Sequence, residues 1–195
     1  MELAATQKLL ARLCTDSILR NRFYADPAGI GRNFGLKPAE SQRIAENLPQ
    51  HQVHSFTKDL RRKRLADVTA QLPLSSTALG RQFAEVFKEY VIQNPPPEGA
   101  ASWRDALNFE EFFHQYAAKH KLKPRWARQL LHFECRGIET EHTKVKFRIA
   151  FYLQRIPRFA KQLSAEKEVR APAPVPSISI WWRSGRRKPI HRFSL

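Results

Sequence analysis

Apolar residues recur at the three-to-four-residue spacing of amphipathic helices along most of the chain. In the first third, Asp16 is predicted to cap one helix and Asp26 the next, because Asp is a favoured residue at a helix N-cap. Pro38 is expected to open another helix that ends near Asn47, since Pro fits the first turn. This part of the pattern predicts several short helices rather than one long helix.

The middle of the chain carries longer helical patterns separated by prolines. A basic amphipathic helix is predicted from His51 to Leu72, where Pro73 stops it. After the loop at 95–97, a Phe-rich helix is followed by a helix that Pro124 opens. The most periodic helix lies between Pro73 and this loop. Its apolar face consists of Leu79, Phe83, Val86, Phe87, Tyr90 and Val91.

The hydrophobic period changes to two residues at Lys144, as in a half-buried strand with a largely cationic second face. The apolar positions are Val145, Phe147, Ile149 and Phe151. After a Pro-rich linker at 171–176, two short apolar segments flank residues 184–187 as the strands of a hairpin do. We therefore predict a mainly α fold, in which a helical bundle (1–142) precedes a small antiparallel β-element (143–195).

Composition adds a strong positive charge to this picture. The 195 residues include 34 Lys and Arg against 18 Asp and Glu, a formal charge of +16, which predicts an acidic partner. Nucleic acid, an acidic peptide, an acidic protein face and an anionic membrane surface each fit this charge. Cys14 and Cys135 have neither disulfide nor zinc spacing, which favours a reducing compartment. The sequence has no signal-peptide pattern and no apolar window long enough to span a membrane. We expect a cytoplasmic protein without a membrane partner.

Motifs for catalysis and metal binding are missing from the sequence. It contains no Gly-rich phosphate loop, no nucleophile elbow and no paired carboxylates, so we expect neither an enzyme nor a cofactor. His51 and His54 lie one helical turn apart without a third ligand nearby. The metal-capable side chains at 132–135 follow one another on a helix and point in different directions. The pattern therefore predicts no metal site.

Glu134 is the polar residue singled out by the helical pattern. It lies beside the apolar seam of its helix, where a partly buried carboxylate needs a partner. We assign it a structural role and expect an ion pair with a cation of the basic cluster at 58–64.

Two dense basic segments, 58–64 and 183–188, are candidates for binding an anionic partner. The second lies next to Trp181 and Trp182, and Arg beside aromatic rings suits phosphate binding or base stacking. An unpaired edge of the strand at 144–153 offers backbone groups to an extended peptide. The alternative for this strand is that it is fully paired within its own sheet. The candidate partner-binding residues are Lys144, Lys146, Arg148, Trp181, Arg183, Arg186 and Arg187.

A series of landmarks in the middle of the chain resembles a known helical family. The landmarks are Leu72-Pro73-Leu74, Leu79-Gly80-Arg81-Gln82-Phe83, Tyr90, Pro95-Pro96-Pro97, Phe112-Phe113 and Leu131-His132-Phe133-Glu134. Their order is similar to that in a helical domain formerly described as DNA-binding, found in partner proteins of multinuclear non-haem iron oxidases that modify ribosomal peptides.

This resemblance implies a partner subunit in ribosomal-peptide biosynthesis, in which the oxidase carries the iron and the helical protein binds the precursor peptide. We therefore expect a non-catalytic protein that binds a peptide or protein and presents it to an iron-dependent oxidase. The alternative is a nucleic-acid-binding regulator that uses the basic helix and the Arg-rich hairpin, since both are dense in positive charge.

Overall fold

The computed structural model confirms the predicted mainly α fold with a small antiparallel β-element near the C-terminus. It describes residues 2–97, 99, 101–144, 146–165, 171–183 and 191–194. None of the helices within these residues is long and apolar enough to cross a membrane. The chain divides into two compact units, Met1–Arg64 and Leu65–Leu195. The predicted division into residues 1–142 and 143–195 stays a prediction.

The first unit consists of short helices joined by capped turns. Asp16 accepts a hydrogen bond from the Leu19 amide (2.9 Å) and Asp26 accepts one from the Gly29 amide (2.8 Å), as the sequence predicts. Its helices are α1 (Glu2–Thr15), α2 (Ser17–Ala25), α3 (Pro27–Arg32), α4 (Pro38–Asn47) and the first part of α5 (Gln50–Gln71). Its core contains Leu9, Leu13, Phe23, Ile30, Leu36 and Val53.

The second unit begins within α5 and is built mainly on three long helices. Its elements are α6 (Pro73–Leu79), α7 (Arg81–Gln93), α8 (Ser102–Lys119), α9 (Ala127–His142), β1 (Phe147–Tyr152), α10 (Ile156–Ser164), β2 (Ser177–Trp182) and β3 (His191–Ser194). Phe109 of α8 is fully buried among aromatic rings of α7 and α8. The buried Tyr90 hydroxyl donates to Asp105 Oδ1 (2.6 Å), which satisfies both polar groups between α7 and α8.

The three strands form an antiparallel sheet in the order β1-β2-β3. Its register pairs Ile149 with Ile180 and Ile180 with Phe193. One face of the sheet packs on α9 and α10. The buried cluster there consists of Leu130, Phe133, Ala150, Tyr152, Ile156, Phe159, Ala160 and Trp181.

Strand β1 is half-buried as the sequence predicts, but the face that packs on the helices is the opposite of the apolar face that the pattern indicates. Its apolar positions Phe147, Ile149 and Phe151 are exposed, whereas Ala150 and Tyr152 of the other face are buried. The physical reason is that the small Ala150 and the neighbouring Trp181 fit closely against the helices. The apolar face of β1 is therefore exposed to solvent.

Candidate binding surface

The outward face of the sheet is covered by apolar side chains. Phe147, Ile149 and Phe151 of β1 are 54%, 45% and 78% exposed, and Trp182 and Phe193 are 38% and 49% exposed. The pairing register places these residues on one face, because directly paired residues of neighbouring strands point to the same side. We call this surface the outer sheet face. It consists of Phe147, Ile149, Phe151, Ile178, Ile180, Trp182 and Phe193.

Strand β1 is an edge of the sheet, since β2 is its only neighbour in the strand order of the described residues. A groove runs beside the end of β1, where the Leu153 amide donates to Gln129 Oε1 (2.8 Å). The groove is lined by His114, Arg125, Arg128, Gln129, His132, Phe151, Tyr152 and Leu153. Two arginines and two histidines thus adjoin the apolar residues at this side of the outer sheet face.

A second cationic concavity lies on the side of β3. This cleft, of ≈ 500 Å³, is bounded by α10 and by the last residues of β3, including Phe193. Its cations are Arg155, Arg158, Lys161 and Arg192. Within the described part of the chain, none of these four forms an ion pair with an acidic side chain. The cleft is therefore suited to an anionic group.

The candidate residues predicted on and beside the strands occupy different environments. Lys144 and Lys146 are exposed, whereas Arg148 is half-buried and its Nε donates to Glu139 Oε2 (2.9 Å). Trp181 is 2% exposed, and its ring centroid lies 5.4 Å from that of Phe133. The tryptophan available at the surface is thus Trp182, because successive strand residues point to opposite faces.

The Arg183 side chain is buried and hydrogen-bonded within the fold, so it is not available to a partner at the surface. It is 9% exposed, and its guanidinium donates to the backbone oxygens of Glu141 and Thr143, the latter at 2.9 Å. These bonds tie the end of β2 to the end of α9. Arg186 and Arg187, the other predicted hairpin cations, lie outside the described residues.

Replacing Arg183 with Ala is expected to lower the free energy of unfolding by about 1–3 kcal/mol, because two partly buried carbonyls lose a charged donor. Urea unfolding followed by circular dichroism measures the change. The control is Lys146→Ala, an exposed cation just before β1, which should change stability by less than about 0.5 kcal/mol. Equal effects of the two substitutions would contradict a structural role for Arg183.

A polar cluster forms around the buried Glu110 where α8 meets α9. Glu110 Oε1 lies 2.7 Å from His132 Nδ1 and 3.6 Å from His114 Nε2, and Glu110 Oε2 accepts from Arg136 at 3.0 Å. Metal-capable donor atoms of Glu110, His114 and His132 all lie within 4.8 Å of one another. The sequence pattern predicts no metal site, and it does not indicate this convergence of one residue pair on α8 with a residue of α9. We call these three residues the Glu-His-His cluster.

The electrostatics of Glu110 keep it ionised. Burial alone raises the pKa of its carboxyl, but the interactions with His114 and His132 and the positive charge of Arg136 outweigh burial and hold the pKa at about 2. Arg136 also pairs with Glu139 (2.7 Å), which extends the network of ion pairs toward β1. The i,i+4 spacing of Glu110 and His114 is the only sequence signal for this cluster.

Glu134 has a different partner from the cation that the sequence predicts. Its carboxylate accepts from the amides of Leu74 and Ser75, both at 2.8 Å, and from the Ser75 hydroxyl. These amides belong to the first turn of α6, so Glu134 acts as an N-terminal cap supplied by another helix. Burial raises the pKa of Glu134 to about 7, and the hydrogen bonds from Ser75 and Leu74 oppose that rise.

Comparison with known proteins finds that part of the chain is similar to one protein family. No curated protein and no solved structure is significantly similar to this chain. Residues 46–115, which extend from the end of α4 into α8, match the family described as SCO6045-like, C-terminal domain. That description names no ligand, partner or reaction. This stretch of the chain is therefore similar to the SCO6045-like C-terminal domain.

Proposed function

We propose that this chain is a non-catalytic partner protein that binds an extended peptide or protein segment at its sheet and presents it to a modifying enzyme. The observation that carries the proposal is the outer sheet face, an exposed apolar surface on an edge strand with cations on both sides. Exposed apolar patches with polar rims commonly mark interaction sites.

Each part of this surface contributes a different element of recognition. The edge of β1 offers backbone donors and acceptors to an added strand, which supplies affinity without sequence preference. The exposed Phe147, Ile149 and Phe151 are available to alternate side chains of that strand. Arg125 and Arg128 in the groove beside the end of β1 favour an acidic residue at that end of the bound segment.

The proposed identity of the partners rests on the resemblance of the sequence landmarks alone. In the proteins that this chain resembles, the modifying enzyme is a multinuclear iron-dependent oxidase and the bound segment belongs to a ribosomally made precursor peptide. We therefore propose an oxidase and a precursor peptide as the partners, in the cytoplasm. In this arrangement the chain supplies binding and orientation, and the oxidase supplies the chemistry.

The recognition chemistry is tested with two labelled synthetic peptides, one alternating Val with Glu and the other alternating Val with Lys. Fluorescence anisotropy at physiological salt should show that the acidic peptide binds at least about tenfold more tightly to the full chain. The double substitution Ile149→Ser and Phe151→Ser should weaken that binding by about tenfold or more, since it removes two apolar contacts.

The matched control is Ile18→Ser in the first unit, because Ile18 is 73% exposed and lies outside the outer sheet face. It should leave the affinity unchanged. Equal binding of the acidic peptide by the wild type and the double variant would overturn the proposed site. Partner identity is tested separately, by co-purification with an iron-dependent oxidase encoded beside the gene and loss of that complex in the double variant.

A second candidate function, binding of nucleic acid, is favoured by the basic segment of α5. Lys58, Arg62 and Lys63 are exposed there, although Arg62 pairs with Asp59 at 2.7 Å. Binding through phosphates would fall steeply as salt rises, because each neutralised phosphate releases counterions. A steep salt slope with random DNA, together with no affinity for either peptide, would favour this alternative.

A further inference from the structure

We propose that the Glu-His-His cluster binds a divalent transition-metal ion of the zinc class. The donor set is the first reason. Two imidazole nitrogens and one carboxylate oxygen are ligands that Zn²⁺ takes in proteins with three protein ligands and one open position. Glu110 and His114 lie one turn apart on α8, and His132 approaches from α9. Two packed helices thus hold the three ligands.

The three donor atoms lie within 4.8 Å of one another, so binding an ion requires the two histidines to approach each other by at most about 1.5 Å. Metal–ligand lengths of about 2.0–2.1 Å in a tetrahedral shell place ligand atoms about 3.3 Å apart. His114 Nε2 and Glu110 Oε1 are already 3.6 Å apart. His132 Nδ1 and Glu110 Oε1, now hydrogen-bonded at 2.7 Å, would separate by roughly half an ångström when the ion replaces the proton between them. His132 is 35% exposed, which leaves its ring room to move.

The surroundings of the cluster match those of a metal site. Arg136 binds Glu110 through Oε2, which orients the carboxylate and leaves Oε1 for the ion, as the hydrogen-bonded neighbours of ligating carboxylates do. His114 and His132 line the groove beside β1, so the fourth coordination position is open to water or to a ligand in the groove. A negatively charged fourth ligand would also offset the charge of Arg136.

An unsatisfied buried hydroxyl gives an independent reason to expect a ligand here. Tyr152 is 3% exposed, and its hydroxyl has no hydrogen-bond partner among the described residues. It lines the same groove, with its ring centroid 6.1 Å from that of His132. Arg136 Nε, also buried, is likewise without a partner within the described residues. Buried polar atoms of this kind usually bind an ordered water or ligand, and a metal-bound water would provide one.

The experiment titrates Zn²⁺ into the EDTA-stripped full chain by isothermal calorimetry. We expect one equivalent to bind, and His114→Ala and His132→Ala each to weaken binding by at least about tenfold. His54→Ala is the control: His54 is exposed in the first unit, and its loss should leave the affinity unchanged. Circular dichroism verifies that each variant is folded.

A second measurement needs no substitution. Added Zn²⁺ should shift the ring-proton NMR signals of His114 and His132 and leave that of His54 in place. Absence of saturable Zn²⁺ binding would overturn the proposal and leave the cluster as an ion-pair network only. Binding that survives both histidine substitutions, or that shifts His54 instead, would place the ion elsewhere and equally overturn it.

Discussion

Replacing Phe109 with Ala is expected to lower the free energy of unfolding by about 3–5 kcal/mol, the range for truncation of a buried aromatic residue. Phe109 is fully buried in the second unit. Its ring centroid lies 5.1 Å from Phe83, 5.2 Å from Phe87 and 5.4 Å from Tyr90. Because α7 and α8 surround the ring on several sides, the backbone cannot collapse into the space that the substitution leaves.

The matched control is Phe112→Ala on the same helix. Phe112 is half-buried and contacts Tyr90 and Tyr116 at ring-centroid distances of 5.5 and 5.8 Å. Because part of its surface is already in water, the loss should stay below about 2 kcal/mol. Chemical denaturation of both variants measures the difference, and a Phe109→Ala loss no larger than that of Phe112→Ala would contradict this view of the core.

The second large effect is a loss of stability in acid caused by Glu110. The pKa of its carboxyl is about 2 in the folded chain and near the ordinary 4.5 in the unfolded chain. A depressed folded pKa stabilises the fold above pH 4.5, and this contribution disappears as the pH falls toward 2. The shift corresponds to about 3 kcal/mol. The difference in unfolding free energy between wild type and Glu110→Gln should therefore be largest near pH 7 and shrink toward pH 2.

The comparison uses EDTA-treated protein, so that only protons titrate the site. Glu111→Gln provides the control, since Glu111 is the exposed neighbour of Glu110 on α8. We expect it to change stability by less than about 0.5 kcal/mol. A difference between wild type and Glu110→Gln that stays constant from pH 7 to acid would show that Arg136 and the histidines do not stabilise the ionised carboxylate.

The helices of this fold are largely predictable from sequence because their signals are local. Asp16, Asp26 and Pro38 mark helix starts that the structure confirms, and the periodic residues of α7 are buried as its pattern requires. The orientation of β1, in contrast, is not determined by a local sequence signal. Alternation separates two faces of a strand, but which face packs depends on the shape of the helices it meets. Here Ala150 fits against them.

The partners of buried polar residues are also difficult to predict from sequence, because they come from distant parts of the chain. Glu134 stands beside an apolar seam in the sequence, which correctly indicates that it needs a partner. Its donors, however, lie about sixty residues earlier, at the start of α6. The Glu-His-His cluster likewise joins α8 to α9, and no spacing within one helix predicts which turns of two helices come together. Charge density identifies basic segments, but it does not show that Arg183 is buried and bonded to backbone.

The outer sheet face also bears on how separate molecules of this protein behave toward one another. An exposed edge strand rich in Phe and Ile is the kind of segment through which identical chains aggregate. The strand is flanked by charged residues that oppose such pairing, namely Lys144 and Lys146 before β1 and Arg155 after it. The formal charge of +16 also makes two approaching copies repel each other. That repulsion acts over a screening length of about 8 Å at physiological ionic strength and shortens as salt is added. The cations thus oppose self-pairing of the apolar strand, and we expect concentrated salt to weaken this protection because it screens their charge.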